Sequence, residues 1–241
     1  EECFDRSYLK EFTVEAGRPD SITREKLEVL RAHGISRISI NPQTMNQKTL
    51  DIIGRRHTVE QTVDAFHLAR ELGFDNINMD LIVGLPGEEY GQVEHTMKEV
   101  TALDPDSITV HSLAVKRAAR LNMFKDQYKE MTFTNNQQIM EMTARYAYQA
   151  GHSPYYLYRQ KNMAGNFENV GYAKPDSAGI YNILIMEEKQ SILALGAGAT
   201  SKKVCGDRIE RTENVKDIKN YVERIDEMIE RKRLLMETDS Q

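Results

Sequence analysis

Residues 76–87 constrain the possible fold of this chain more than any other stretch. They read Asn-Ile-Asn-Met-Asp-Leu-Ile-Val-Gly-Leu-Pro-Gly, the composition of a β-strand that Gly-Leu-Pro-Gly ends abruptly. Because side chains alternate between two faces of a strand, one face is apolar and the other carries Asn76, Asn78 and Asp80. A central strand of a parallel sheet is usually apolar on both faces. Asp80, four residues before the glycine, therefore occupies the place where a barrel strand presents a ligand-binding group.

Strand and helix patterns alternate four times around this stretch, with short turns between them. Strands are predicted at residues 12–16, 37–41, 76–83 and 107–114, and helices at 23–33, 47–53, 58–72 and 90–103. This alternation is typical of a parallel sheet in an α/β fold. Further along, the patterns predict a loop or linker at 116–135, helices at 136–150 and 215–235, and strands at 154–158 and 192–195.

The composition argues against several classes of function. The chain has 241 residues, ample for one large α/β domain, and its interspersed charges sum to −5, which gives no field for nucleic acid or an anionic membrane. No apolar run approaches the roughly 20 residues that span a bilayer, and no secretory signal opens the chain. We therefore expect a soluble, cytoplasmic protein without nucleic-acid or membrane partners. Cys3 and Cys205 lie at opposite ends, which predicts neither a disulfide framework nor a metal site.

Three predicted strands carry a polar group at or near their C-terminal end: Glu15, Gln43 and Asp80. In a parallel barrel these ends lie on one rim, so the three groups converge there. A single acidic residue on a strand is more often a surface or capping residue, but three in register favour a binding site. Arg55 lies in a predicted turn, where a solvated arginine and a site residue remain equally compatible with the sequence.

Two weaker features have structural explanations. The Gly-Ala-Gly-Ala stretch at 196–199 resembles a phosphate-binding turn, but no amphipathic helix follows, so a tight turn with close backbone packing is favoured. His111 lies within a predicted strand and is expected to be a hydrogen-bonded core residue. The six histidines show no metal-ligand spacing, and no metal ligand is predicted in this chain.

Five motifs occur together in the order and spacing of one known family. They are Thr-Val-Glu-Ala-Gly-Arg-Pro at 13–19, Ser-Ile-Asn-Pro-Gln at 39–43, Gly-Arg-Arg-His at 54–57, Asn-Met-Asp-Leu-Ile-Val-Gly-Leu-Pro-Gly at 78–87 and Leu-Gly-Ala-Gly-Ala at 195–199. They span nearly the whole chain. The chain resembles the oxygen-independent coproporphyrinogen III oxidases (coproporphyrinogen dehydrogenases), which belong to the radical S-adenosylmethionine (SAM) superfamily.

The resemblance implies a fold and a cofactor site. The expected fold is α/β: residues 1–115 form the later part of a partial, open TIM-like βα barrel with parallel strands, and residues 116–241 form a smaller α+β C-terminal region that completes the barrel edge. The residues implied to contact SAM are Glu15, Gln43, Arg55, Asp80 and the backbone around Ala114. Asp80 would then accept hydrogen bonds from the ribose hydroxyls, and Arg55 would bind the methionyl carboxylate. Glu15 would face the ammonium group or a second cofactor molecule.

The family's C-x-x-x-C-x-x-C motif, whose thiolates hold a 4Fe–4S cluster, is absent from these 241 residues. We expect that motif upstream of Glu1, and the chain to be a fragment that is inactive alone. Asn41-Pro42 and Met45 differ from the family's usual residues, which indicates a divergent branch.

The resemblance also implies the reaction. The intact protein would catalyse the oxidative decarboxylation of coproporphyrinogen III to protoporphyrinogen IX in haem (porphyrin) biosynthesis, with a porphyrinogen substrate and an electron donor as partners. A haem-binding chaperone of the same barrel family is the alternative. Those chaperones carry His-Asn-x-x-Tyr-Trp before the Leu-Gly-Ala-Gly-Ala motif, where this chain reads Tyr-Asn-Ile-Leu-Ile-Met at 181–186. An ordinary barrel lyase or hydrolase is disfavoured because these motifs supply no base–nucleophile pair.

Overall fold

The computed structural model describes residues 5–114, 131–159 and 164–237. The chain forms two compact units, the first ending at Ile180 and the second beginning at Tyr181. The domain boundary predicted after residue 115, and most of the loop predicted at 116–135, fall in the segment 115–130 outside the described residues, so the predicted boundary stays a prediction. Within the described ranges, no helix combines the length and the apolar character needed to cross a lipid bilayer.

The first unit is built on a six-stranded sheet with the strand order β1-β2-β3-β4-β6-β5. The strands are β1 (Thr13–Gly17), β2 (Arg37–Ile40), β3 (Ile77–Val83), β4 (Ser107–Ser112), β5 (Ser153–Tyr158) and β6 (Asn169–Ala173). β1 to β4 pair in parallel, whereas β6 pairs antiparallel with both β4 and β5. The mainly parallel sheet confirms the predicted α/β class.

Five α-helices lie among the described residues of this unit: α1 (Arg24–Ala32), α2 (Gln47–Ile52), α3 (Val59–Glu71), α4 (Tyr90–Ala102) and α5 (Gln137–Gln149). Their starts follow from polar caps. The side chains of Thr23 and Asn136 accept hydrogen bonds from backbone N–H groups in the first turns of α1 and α5. Thr58 and Gln61 form the capping box that the sequence predicts at the start of α3.

The apolar face of the sheet lies against these helices. The β3 side chains Ile77, Met79 and Leu81 are all buried, as the alternation predicts. They join a single core with helical side chains such as Leu27, Phe66, Met97 and Ile139. Each fully buried side chain of this size contributes about 1.5–3 kcal/mol, so this face is the main source of the unit's stability. The opposite face of the sheet is thereby left to polar residues.

The strand β6 was not predicted from the sequence. Its segment, Asn-Val-Gly-Tyr-Ala, has a central glycine, which weakens a strand pattern. Gly171 is required there because the Tyr156 ring of β5 lies across it: a Cβ atom at Gly171 would come within 2.0 Å of Tyr156. The glycine therefore lets a β5 side chain extend across β6 towards β4.

The second unit contains a two-stranded antiparallel sheet of β7 (Thr200–Cys205) and β8 (Arg208–Glu213). Its helices are α6 (Ile180–Met186), which begins at the last residue of the first unit, α7 (Ile218–Glu223) and α8 (Ile225–Glu237). The single helix predicted at 215–235 is thus two helices that meet at Arg224. The strand predicted at 192–195 is wrong, because Ile192 alone of these residues pairs with a strand, through Lys202.

The Gly-Ala-Gly-Ala stretch forms a tight turn, as the sequence favours. Asn214 Nδ2 donates to the Gly196 carbonyl at 2.7 Å, and the Gly196 N–H donates to the Tyr221 hydroxyl at 3.1 Å. Gly198 has φ +72°, a conformation that other residues rarely adopt. The turn's N–H group at Gly196 is therefore occupied within the unit and does not face a phosphate.

Glu88 is a buried carboxyl group that joins the loop after β2 to the loop after β3. Its side chain is 1% exposed, and Oε1 accepts hydrogen bonds from Thr44 Oγ1 at 2.6 Å and from Asn46 Nδ2 at 3.0 Å. Burial raises the pKa of Glu88, although these hydrogen bonds act in the opposite direction. The junction is therefore most stable with Glu88 neutral.

Replacing Glu88 by glutamine tests this junction. Because the pKa of Glu88 is raised in the folded state, its stabilising contribution is fully present below the pKa of the unfolded chain and is lost as the pH rises through the folded-state pKa. Glu88→Gln keeps the acceptor oxygen and cannot ionise. We expect urea titrations between about pH 4.5 and pH 8 to show the wild type losing free energy of unfolding relative to the variant as the pH rises.

The matched control is Glu28→Gln on α1, where the glutamate side chain is 54% exposed and its charged neighbour is Arg24, which keeps its charge over this range. Its free-energy difference from the wild type should change little over the same range. A pH-independent difference for Glu88→Gln would show that the buried carboxyl is not the titrating group.

Candidate functional site

Polar side chains line the face of the sheet opposite the helices, and we call them the polar face. The strand register aligns Glu15 with Ser39, Ser39 with Asn78, and Asn78 with Ser107 in one row across β1 to β4. In the next row towards the C-terminal ends, Asp80 pairs with Thr109 of β4. The alternation seen in the sequence of β3 therefore extends across four strands.

Asn78 lies at the centre of a hydrogen-bond network on this face. Its Oδ1 accepts from Ser107 Oγ at 3.0 Å and from Thr109 Oγ1 at 3.2 Å, and its Nδ2 donates to Asp80 Oδ1 at 2.7 Å. The buried Arg37, the first residue of β2, donates to Ser107 Oγ at 2.9 Å. The network connects a buried cation to the rim carboxylate Asp80.

Asp80 is held ionised at the rim. Burial acts to raise the pKa of its carboxyl group, but the neighbouring imidazole of His111 and the hydrogen bond from Asn78 outweigh burial, and the pKa is lowered. Its side chain is 21% exposed to solvent. Asp80 is therefore an anchored carboxylate that a ligand can reach.

Gln43 and Asp80 are brought together directly, as the sequence predicts. The Gln43 N–H donates to the Asp80 carbonyl at 3.0 Å, and the Ile82 N–H donates to the Gln43 carbonyl at 2.8 Å. Gln43 has φ +69°, which is costly for a residue with a Cβ atom. These backbone bonds and the Glu88 junction fix the loop after β2 against β3.

Glu15 lies on the same face but one row further from the rim than Asp80. Its carboxylate accepts hydrogen bonds from the Ser39 hydroxyl and, at 3.5 Å, from Asn41 Nδ2. The residue is exposed. Glu15 thus presents a negative charge beside the same site.

Arg55 lies near the end of β1. Burial lowers the pKa of its guanidinium, and the neighbouring Arg18 guanidinium lowers it further while Asp20 opposes the change. Arg18 pairs with Asp20 at 2.8 Å, whereas none of the described residues pairs with the Arg55 guanidinium. The sequence is compatible with either a solvated arginine or a site residue at this position. Because Arg55 is half-buried in this environment, a site residue is favoured. A carboxylate ligand would satisfy it.

The remaining predicted contact, Ala114, follows the end of β4. The preceding Leu113 N–H donates to the Val83 carbonyl at 2.9 Å, which continues the β3–β4 pairing to this point. The predicted contact through the Ala114 backbone stays a prediction.

His111 and Tyr158 belong to the site, and the sequence analysis missed both. His111 is not a core residue: its side chain is 26% exposed, and its Nε2 lies 3.7 Å from Asp80 Oδ1. Tyr158 of β5 lies with its hydroxyl 3.4 Å from His111 Nδ1. His111 shares the parity of Ser107 and Thr109, so the alternation used for β3 would have placed it on the polar face.

Comparison with known proteins identifies the family. Residues 8–100 match the Radical SAM superfamily. The chain is 49% identical over 230 residues to the oxygen-independent coproporphyrinogen-III oxidase-like protein HemZ of Bacillus subtilis. The matched region covers 95% of this chain and 46% of HemZ. The chain belongs to the radical SAM superfamily.

Two other members add to this assignment. The heme chaperone HemW of Bacillus subtilis is 41% identical over 110 residues, 46% of this chain and 29% of HemW. The solved structure of coproporphyrinogen III oxidase (HemN) from Escherichia coli, a radical SAM enzyme, matches with a TM-score of 0.67 at 24% identity, over 90% of this chain and 49% of HemN. This structural match confirms the TIM-like fold. The chain spans less than half the length of these relatives.

Radical SAM proteins use SAM and a 4Fe–4S cluster. The described residues fit SAM chemically, because Asp80 offers an ionised carboxylate for hydroxyl groups and Arg55 offers a guanidinium for a carboxylate. The cluster does not fit this chain's own residues: the sequence has two cysteines, and the described ranges contain no group of three or more His, Cys, Asp or Glu side chains that could hold a metal ion.

The left-handed conformation of Gln43 is testable by comparing two truncations. Gln43→Gly and Gln43→Ala both remove the side chain, but only glycine adopts φ +69° without cost, so we expect the glycine variant to be more stable by about 1–2 kcal/mol. The measurement is the free energy of unfolding from urea titration. The same pair at His67, exposed in the middle of α3, should show the opposite order, by about 1 kcal/mol. If the glycine and alanine variants ranked in the same order of stability at both positions, the claim that Gln43 has a strained backbone would be contradicted.

Proposed function

We propose that this chain forms the SAM-binding part of an enzyme that oxidatively decarboxylates coproporphyrinogen III to protoporphyrinogen IX. The observation that carries the proposal is the anchored, ionised carboxylate of Asp80 on the polar face of a radical SAM domain. Support for the substrate comes from the likeness to a coproporphyrinogen-III oxidase-like protein over 95% of the chain.

Each predicted contact receives a role from its own chemistry. Asp80 accepts hydrogen bonds from the two ribose hydroxyls, since a carboxylate with a free oxygen binds a vicinal diol well. Arg55 binds the methionyl carboxylate, which supplies the partner that its guanidinium lacks among the described residues. The exposed Glu15 carboxylate attracts the methionyl ammonium group. Gln43 and the backbone at Ala114 complete the rim.

The chain's own contribution to the reaction is positioning. When bound, SAM supplies the adenosyl group that removes a hydrogen atom from the substrate. Each reacting propionate of the porphyrinogen would then lose carbon dioxide and pass one electron to an acceptor outside this chain, which would leave a vinyl group. The rim residues hold the adenosyl group in one orientation, and orientation within about 3–3.5 Å of the reacting atom is what accelerates such a step. The cluster is held by residues outside this chain, and its electron donor is a separate partner.

A haem-binding protein is the second candidate, and the 41% identity to the heme chaperone HemW over 110 residues favours it. A haem carrier uses an axial ligand for iron, commonly a histidine. The stretch from 175 to 196 contains no histidine, and the chain contains no tryptophan. These absences from the sequence place the enzyme first.

Removing the charge of Asp80 tests the cofactor site. In the cluster-loaded full-length protein, Asp80→Asn should weaken SAM binding by about 1.5–3 kcal/mol, because a charge-assisted hydrogen-bond pair is lost while the side-chain volume is kept. Anaerobic calorimetry measures the affinity, and circular dichroism checks the fold. Asp51→Asn, on the exposed surface of α2, is the control and should bind as the wild type does. Unchanged affinity in Asp80→Asn would make Asp80 a structural residue.

The reaction itself is tested by an anaerobic assay. Reconstituted full-length protein, SAM and a reductant should convert coproporphyrinogen III to protoporphyrinogen IX, detected by chromatography. Omission of SAM should abolish the product. No vinyl product, together with stoichiometric haem binding, would reverse the choice in favour of the haem carrier.

A further inference from the structure

His111 occupies a bridging position between two elements of the polar face. Its imidazole lies between the Asp80 carboxylate of β3, 3.7 Å from Nε2, and the Tyr158 hydroxyl of β5, 3.4 Å from Nδ1. The Tyr158 ring packs edge-on against the imidazole, with ring centroids 6.4 Å apart. A second tyrosine, Tyr156, stacks on Tyr158 and extends towards Thr109. The ring is therefore fixed on both sides.

The Asp80 carboxylate determines which nitrogen of the imidazole must carry a proton. The Asp80 carboxylate only accepts hydrogen bonds, so the nitrogen that faces it, Nε2, must carry the proton. Nδ1, on the other side of the ring, lies 3.4 Å from the Tyr158 hydroxyl. The opposite tautomer would direct a lone pair at a carboxylate. The Nε2–H group thus points at Asp80 Oδ1, which also accepts from Asn78 Nδ2 at 2.7 Å.

Both of these donors act on the same oxygen of Asp80. With Oδ1 directed towards Asn78 and His111, the carboxylate has its second oxygen, Oδ2, available to a ligand. The distance of 3.7 Å is longer than a hydrogen bond, but contacts of this kind are often long without ligand and shorten when it binds. The partial exposure of both side chains leaves room for the ligand beside them.

We propose that His111 is a positioning residue for SAM: its Nε2–H holds Oδ1 of Asp80, so that Oδ2 meets the ribose hydroxyls. Tyr158 acts one step further out, by holding the imidazole in place through Nδ1 and the edge-on ring contact. The inference rests on the proposed function, because it assigns His111 to the same cofactor site.

The proposal predicts how substitutions at His111 rank. Glutamine places an amide N–H close to the position of Nε2, whereas asparagine reaches only the position of Nδ1 and phenylalanine retains the packing alone. In the cluster-loaded full-length protein, His111→Phe and His111→Asn should each weaken SAM binding about tenfold, the loss of one hydrogen bond to a charged group. His111→Gln should bind within about threefold of the wild type. Anaerobic calorimetry with SAM itself gives all four affinities.

Two controls make the outcome decisive. His95→Phe changes an exposed histidine of α4 in the same way and should bind SAM as the wild type does. Asp80→Asn, measured in parallel, separates the two proposals. If Asp80→Asn weakens binding and His111→Phe does not, the role of His111 is overturned and the cofactor site stands. If neither weakens binding, both are overturned.

A purely structural role of His111 is also distinguishable. Equal weakening in His111→Gln and His111→Asn would show that the site needs the imidazole ring and not its Nε2–H group, and would overturn the proposal. If His111→Phe does not fold, the comparison of glutamine with asparagine, two amides that differ only in reach, still decides the question.

Discussion

The buried side-chain amide of Asn78 is the interaction on which the rest of the polar face depends. A buried amide must find partners for both of its ends, and Asn78 finds them in two hydroxyl groups of β4 and one carboxylate of its own strand. This arrangement joins β3 to β4 through side chains as well as through the backbone ladder. It also fixes the direction in which Asp80 points. A polar row that would destabilise an ordinary parallel sheet is thereby satisfied, and it supports the site instead.

The two faces of the sheet divide stability and function between them. The face beneath the helices is apolar and buried, and it holds the strands in register. That register then sets the rows in which the polar groups meet, so a site built on strand ends inherits the precision of the core. The Glu88 junction extends the same support to the loop that carries Gln43, which no strand holds by itself. Rigid placement of this kind suits a protein whose task is to orient a reactive cofactor.

The parallel half of the sheet could be predicted because each strand and helix there has a strong local period. The same alternation predicted that Glu15, Gln43 and Asp80 lie near one rim of the sheet. His111 was missed because it was judged as a single residue and not with Ser107 and Thr109 in its own strand. Arg55 could not be decided, since its environment comes from residues after β1 that only the fold brings near.

Three of the antiparallel strands, β6, β7 and β8, escaped prediction for a different reason, whereas β5 was predicted. β6 gains its place through a glycine that admits Tyr156, a contact invisible in its own five residues. β7 and β8 are rich in charged residues and lack an apolar run. The two residues between them, Gly206 and Asp207, are nevertheless a hairpin turn signal, and Gly206 has φ +59°.

The central claim is that Asp80, oriented by its neighbours on the polar face, holds the ribose of SAM. A crystal structure of the cluster-loaded full-length protein with SAM bound tests it most directly. The account predicts both ribose hydroxyls within about 2.5–3.0 Å of the Asp80 carboxylate, with Oδ1 still contacted by Asn78 and the methionyl carboxylate on Arg55. SAM bound with its ribose away from Asp80, and with the Asn78–Asp80 hydrogen bond intact, would contradict it.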